Sequence, residues 1–332
     1  MSIRKQFIDL ATDKNNSILA VPIKLFLLLL SFVYGACVRI RGVLYDIKIL
    51  KQMKVTCKVI SVGNITWGGT GKTPLVLRLS EKITEKTKIA ILTRGYGEDE
   101  KYLLKEKLQD APVFIGSEKT NNALRAQENG AKLLILDDGF QHRKLKRDID
   151  IVTIDALNPF GNKRLIPRGI LREPVSSLKR ADILVITNAD NPNTPLLKGV
   201  LGEINPEAEI FESRYEIKNP GEIKAKPICA VCGIGNPKSF LKTLRDAGGN
   251  VGLEMLYPDH YNYRARDIKE IVEKCAAGNI DSIVTTEKDM VKLKKYESHI
   301  ADSGLGLSAI TVEPRINNEE ALLGRLYSLV NG

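Results

Sequence analysis

Three observations predict an α/β fold with a parallel sheet and helices on both faces. Short apolar, β-branched runs recur at 58–62, 89–92, 133–136, 150–154 and 183–186, spaced by stretches long enough for helices. Such alternation gives βαβ units with right-handed crossovers. The first run opens into a glycine-rich loop ending Gly71-Lys72-Thr73, and the third ends in two aspartates, Asp137 and Asp138. A glycine loop after one strand and an acidic end on another make the sheet P-loop NTPase-like.

The first element is apolar and flanked by basic residues. Leu25 to Val38 holds no charge; Lys24 precedes it, and Arg39 and Arg41 follow. Its 14 residues fall short of the roughly 20 that cross a bilayer. A cleaved signal peptide would carry its apolar core nearer the start and end in a small-residue cleavage site. Net charge is +10, and the excess is concentrated at the front, where residues 1–60 carry ten Lys/Arg against Asp9, Asp13 and Asp46. The expectation is a helix lying in a membrane interface, its basic residues on anionic headgroups. A buried core helix is the alternative. A nucleic-acid arm needs no such apolar face, so no nucleic-acid partner is expected.

Val59-Ile60-Ser61-Val62 then reads as a buried strand. The loop behind it, Thr66-Trp67-Gly68-Gly69-Thr70-Gly71-Lys72-Thr73, has Thr66 where the usual pattern has its first glycine. Glycines let backbone N–H groups close around phosphate oxygens. Lys72 neutralises the β/γ charge, and the Thr73 hydroxyl is placed to ligate Mg²⁺. A helix starting near Thr73 aims its positive end at the same anion. Next, Thr93-Arg94-Gly95-Tyr96-Gly97 leads to Asp99 and Glu100. Arg94 suits phosphate, and Asp99 is a candidate base for a hydroxyl acceptor.

Leu133-Leu134-Ile135-Leu136-Asp137-Asp138 is a buried parallel strand with carboxylates at its C-terminal edge, where open α/β sheets bind ligands. Asp137 or Asp138 would hold Mg²⁺ opposite Thr73. The long connection 156–181, with its Arg, Asn and apolar residues, suits a lid or substrate wall. Pro206, Pro220 and Gly221 mark 205–225 as a linker. A smaller α/β/α domain follows, with strands at 227–232 and 281–285 and helices at 237–247 and 265–276. The expected domains are a membrane-associated helical region (1–50), an ATP-binding domain (51–212) and a C-terminal domain (213–332).

Cys229 and Cys232 have no second Cys/His pair to complete a zinc site, so they read as buried apolar residues. The odd total of five cysteines fits reduced thiols facing the cytoplasm. Of the three histidines, His299 reads as a surface residue, His142 points toward the phosphate edge, and His260 lies in a turn.

Eight blocks stand in order along the chain: Gly63-Asn64-Ile65-Thr66 through Thr73-Pro74, Arg94-Gly95-Tyr96-Gly97, Asp137-Asp138-Gly139-Phe140-Gln141-His142, Asn158-Pro159-Phe160-Gly161-Asn162, Gly169-Ile170-Leu171-Arg172-Glu173, Gly233-Ile234-Gly235-Asn236-Pro237, Pro258-Asp259-His260, and Thr285-Thr286-Glu287-Lys288-Asp289. Together they resemble the tetraacyldisaccharide 4'-kinase family, the lipid A 4'-kinases, over nearly the whole chain. The resemblance implies transfer of the ATP γ-phosphate to the 4'-hydroxyl of a tetraacylated glucosamine disaccharide 1-phosphate, a glycolipid. It places the enzyme on the cytoplasmic side of the inner membrane, peripheral or monotopic. It pairs a catalytic aspartate with a histidine, here Asp99 and His260. The family commonly reads Gly-Asp-Glu where this chain has Glu98-Asp99-Glu100, which keeps Glu100 as a substitute base. It makes Lys51, Arg94, Gln141, His142, Arg172 and Glu173 candidates for holding the sugar phosphate. Two other readings start from the residues alone. A regulatory GTPase would use Thr187-Asn188-Ala189-Asp190, which lacks the lysine that stacks on guanine. A membrane-peripheral ATPase or scaffold would have no need of His260.

Overall fold

The computed structural model describes residue 13 and residues 20–95, 106–108, 111–219, 223 and 226–331. Its strands are β1 (Lys58–Gly63), β2 (Ile89–Thr93), β3 (Val113–Ile115), β4 (Leu133–Asp137), β5 (Ile149–Asp155), β6 (Ile183–Thr187), β7 (Glu209–Ile217), β8 (Ile228–Cys232), β9 (Val251–Leu256), β10 (Ser282–Thr286), β11 (Gly306–Ile310) and β12 (Val312–Ile316). They form an eight-stranded sheet of order β12-β7-β6-β5-β1-β4-β2-β3 and a four-stranded sheet of order β11-β10-β8-β9. The chain divides into two compact units: residues 1–94, 110–213 and 316–332, and residues 95–109 and 214–315.

In the first unit, β1 lies between β4 and β5, parallel to both, with Val62 level with Asp137 on one side and Ile151 on the other. Residues of β2, β4, β5 and β6 are buried throughout. Burial on both faces is why these strands read as continuous apolar runs. β7 corrects the expected linker at 205–225. Its middle alternates, with Phe211 and Ser213 buried and Glu212 and Arg214 more exposed, the period-two pattern of a half-buried strand. Helices Lys72–Thr84 and Lys119–Glu128 follow β1 and β3. A terminal helix, Glu319–Asn331, returns to this unit. Arg78 grips Glu319 at 2.7 and 2.8 Å, the Tyr327 hydroxyl donates to the Lys82 carbonyl, and Leu322 and Leu326 are fully buried.

The N-terminal helix, α1, runs from Val21 to Asp46. It outruns the 14-residue apolar run because Gly42, Val43 and Leu44 continue the pattern, and its 26 residues span roughly 39 Å. Its most apolar 18 residues have a mean hydropathy of 2.1, so by length and composition alone it could cross a membrane. It buries Leu27, Ser31 and Gly35, a stripe at i, i+4, i+8. Leu25, Phe26, Leu29, Leu30, Phe32 and Val33 are exposed. The core-helix alternative is therefore wrong.

The second unit carries the parallel sheet of β8–β11 with helices Pro237–Asp246 and Ala265–Ala277. Cys229, Cys232 and Cys275 are buried free thiols in its core. Among the described residues no cluster of three metal-ligating side chains forms.

Candidate active site

The glycine loop is built where β1 ends. Gly63 lies against Phe140: a Cβ there would come 2.5 Å from the Phe140 Cβ, so only glycine lets the acidic turn close over the strand. Gly71 caps the helix 72–84 with φ of 82°, a conformation that favours glycine. Three small polar residues brace the loop from beneath. The Asn64 amide donates to the Thr70 hydroxyl at 2.9 Å, the Thr70 and Thr153 hydroxyls lie 2.8 Å apart, and the Thr187 hydroxyl donates to the Thr70 carbonyl at 3.2 Å. At its other end Thr66 bridges to Leu171, and Trp67 N–H donates to the Ile170 carbonyl at 2.6 Å. Thr66 and Thr70 are buried, Gly69 is exposed, and Gly68, Lys72 and Thr73 are half-buried.

Facing the loop is the end of β4. Asp138 adopts φ of 52°, and three cations gather around it. Arg172 holds it with both terminal nitrogens, at 2.7 and 3.1 Å, and Lys72 Nζ lies 3.7 Å away. The third is Lys119, buried at the start of helix 119–128, whose ammonium donates to the carbonyls of Asp137 and Asp138. Burial opposes ionisation of Asp138, but Lys72, Arg172 and Lys119 outweigh it and hold the carboxyl well below the usual range. Burial pulls the Lys119 ammonium down in turn, against the two aspartates. Lys119 was not legible in the sequence, since Glu118-Lys119-Thr120 looks like any solvated helix start. Asp137 is buried, with the Thr93 hydroxyl 3.4 Å from Oδ2.

Beside this pair the Gln141 amide donates to the Asn64 carbonyl at 2.9 Å and to Glu173 at 3.1 Å, and Arg180 closes on Glu173 at 3.0 Å. His142 is pushed down to about 4, first by burial and then by Lys119, Arg147, Arg41 and Lys144. Arg94 is exposed beyond β2. Lys51 is exposed just after α1 and forms no hydrogen bond or ion pair among the described residues. Thus the loop, Asp137, Asp138, Gln141, Arg172 and Glu173 are brought together, and Lys51 is not joined to them.

Asp99 and Glu100 lie outside the described residues. In the second unit, His260 has φ of 57°, and its N–H donates to the Gly233 carbonyl at 2.9 Å. Gly233 N–H in turn donates to the fully buried Asp289 at 2.9 Å, which also accepts from Thr286 and Tyr263. The last block of the sequence thus anchors the histidine turn.

The donors at the loop and the β4 end fit Mg²⁺. Thr73, Asp137 and Asp138 offer a hydroxyl and carboxylate oxygens, the hard ligands this ion takes. The arrangement can bind a polyphosphate on backbone N–H groups, neutralise it with Lys72 and fix a carboxylate beside it.

The profile of the family described as Tetraacyldisaccharide-1-P 4'-kinase (LpxK) matches residues 23–331. A tetraacyldisaccharide 4'-kinase of Halothermothrix orenii is 38% identical, over 83% of this chain and 86% of its own. One of Anaeromyxobacter dehalogenans is 34% identical over 80% of each chain. A crystal structure of LpxK from Aquifex aeolicus in complex with ATP superposes with a TM-score of 0.70, at 28% identity over 93% of this chain and 99% of that one. On these matches the chain belongs to the tetraacyldisaccharide-1-P 4'-kinase family.

Proposed function

We propose that this protein is an ATP-dependent kinase that transfers the γ-phosphate to the 4'-hydroxyl of a tetraacyldisaccharide 1-phosphate, yielding lipid IVA in lipid A biosynthesis. The family match across residues 23–331 carries this reading, and the phosphate loop supplies the chemistry.

Thr66 and Gly68 to Thr73 wrap the ATP phosphates, with Lys72 on the β/γ oxygens. Asp138 is committed to Arg172 and Lys72, which leaves Asp137 and Thr73 as the residues to hold Mg²⁺. A Mg²⁺ held by these two residues would supply charge neutralisation for the phosphoryl group that Lys72 and the loop position. Asp99 and His260 form the base that takes the proton of the sugar hydroxyl, a poor nucleophile at its ordinary pKa. Arg94, Gln141, His142, Arg172 and Glu173 orient the phosphorylated sugar, with Lys51 as an outlying basic contact.

The exposed apolar sides of α1 sit in the cytoplasmic face of the inner membrane, where the acylated substrate resides. Region 1–50 serves as the anchor and 51–212, completed by the helix 319–331, as the ATP-binding domain; the remainder of 213–332 forms the domain that carries His260. The test supplies labelled ATP with a tetraacyl disaccharide 1-phosphate in mixed micelles. A labelled bisphosphorylated lipid is expected; ATP hydrolysis without lipid product would overturn the assignment.

A further inference from the structure

Tyr34 differs from its neighbours on α1. Leu29, Leu30, Phe32 and Val33 are exposed, whereas Tyr34 is half-buried and its hydroxyl donates to the Arg172 carbonyl at 2.7 Å. Burying a phenol is unfavourable unless it is hydrogen-bonded, and an anchor alone has no use for a hydroxyl inside its docked face. The same face carries two more contacts to the 165–172 segment. The Ser31 hydroxyl lies 2.8 Å from the Leu165 carbonyl and accepts from Arg168 N–H at 2.9 Å. Gly35 is so close that a Cβ would meet Leu165 Cδ1 at 2.7 Å.

The other edge of that segment belongs to the nucleotide loop. Arg172 N–H donates to the Ile65 carbonyl at 2.7 Å, Trp67 N–H donates to the Ile170 carbonyl at 2.6 Å, and Thr66 bridges to Leu171. Arg172 is therefore held three ways: its carbonyl by Tyr34, its N–H by the loop, its guanidinium by Asp138 and Asn64. A shift of α1 against this segment moves a residue that touches both walls of the phosphate site.

We propose that Tyr34 is a positioning residue for the phosphate site, through which the seating of the N-terminal helix sets the geometry of the glycine loop and of Asp138. The proposal rests on the nucleotide reading given above. It assigns the helix a role in turnover separate from anchoring.

The experiment uses the full chain in detergent micelles and in phospholipid vesicles. Tyr34→Phe keeps the ring and removes the donor. kcat/KM for ATP should fall about fivefold and the melting temperature by no more than a few degrees, the scale of one neutral hydrogen bond, with vesicle co-sedimentation unchanged. Gly35→Leu, which pushes the helix off Leu165 by an independent contact, should give the same kinetic defect at unchanged vesicle binding. Because both act through one contact face, the double variant should be little worse than the poorer single one. Tyr34→Phe turning over like the wild type would overturn the proposal, as would activity lost in both variants only in proportion to vesicle binding. A fluorescent ATP analogue separates the two readings. If the wild type does not bind it, or Lys72→Ala binds it equally well, the nucleotide reading falls and this proposal with it. Normal binding by the wild type with an unaffected Tyr34→Phe removes this proposal alone.

Discussion

Arg172 holds Asp138 through both terminal guanidinium nitrogens, at 2.7 and 3.1 Å. The fork matters beyond its charge, because lysine offers a point charge without the planar pair of donors. Arg172→Lys should lower kcat/KM for ATP about tenfold while the protein stays folded. Steady-state kinetics with varied ATP reads this, and wild-type values would show that charge alone suffices.

Lys72→Ala removes the loop's cation, and kinase activity should drop by orders of magnitude. Lys72 is half-buried and faces Asp138 rather than the core, so thermal unfolding should change little. Near-normal phosphorylation of the lipid would be incompatible with the nucleotide site.

The depressed His142 makes stability depend on pH. Unfolded, this histidine takes a proton near 6.5; folded, it resists until about 4. Between those values the unfolded chain binds more protons, so stability falls as pH drops from 6.5 toward 4 and is unaffected by this group above that window. His142→Gln should flatten this part of the profile, read as denaturant midpoints at pH 7 and pH 5. An equal loss of stability in both proteins would assign the slope to other groups.

Leu29 and Phe32 are 65% and 62% exposed on α1. Changing both to Asp should release the protein from vesicles without unfolding it, since interfacial binding scales with buried apolar area. Circular dichroism and flotation together decide this; a folded double variant that still floats would remove the anchor.

Asp99→Ala and His260→Ala should each cut kcat roughly 10²-fold, with ATP affinity almost unchanged. Residues that act as a unit lose activity non-additively, so the double variant should match the poorer single one. Fully multiplying losses would separate their roles and leave Glu100 as the next candidate base.

The parallel sheet was legible because its central strands are buried on both faces and appear as uninterrupted apolar runs. The glycine loop and the acidic strand end were legible because phosphate chemistry restricts residue types locally. Asn64, Thr153 and Thr187 carried no such signal. They are ordinary small polar residues until the register of β1, β5 and β6 gathers them beneath Thr70. Lys119 was hidden for the converse reason, as its polar neighbourhood in sequence says nothing of its burial under the acidic turn. β7 was masked by its charges, Glu209, Glu212, Arg214 and Glu216, which leave no uninterrupted apolar run in the sequence.

The helix 319–331 has a consequence for biosynthesis. Because Arg78 and Lys82 of the helix behind the glycine loop pair with Glu319 and Tyr327, the nucleotide-binding unit lacks one of its packing partners while these residues are still inside the ribosome. The second unit, whose segments end at residue 315, has all its strands available earlier. On the nascent chain the last packing partner of the phosphate-binding unit is therefore made after every strand of the histidine-bearing one, and premature termination near residue 316 would spare the latter while leaving the former without its closing helix.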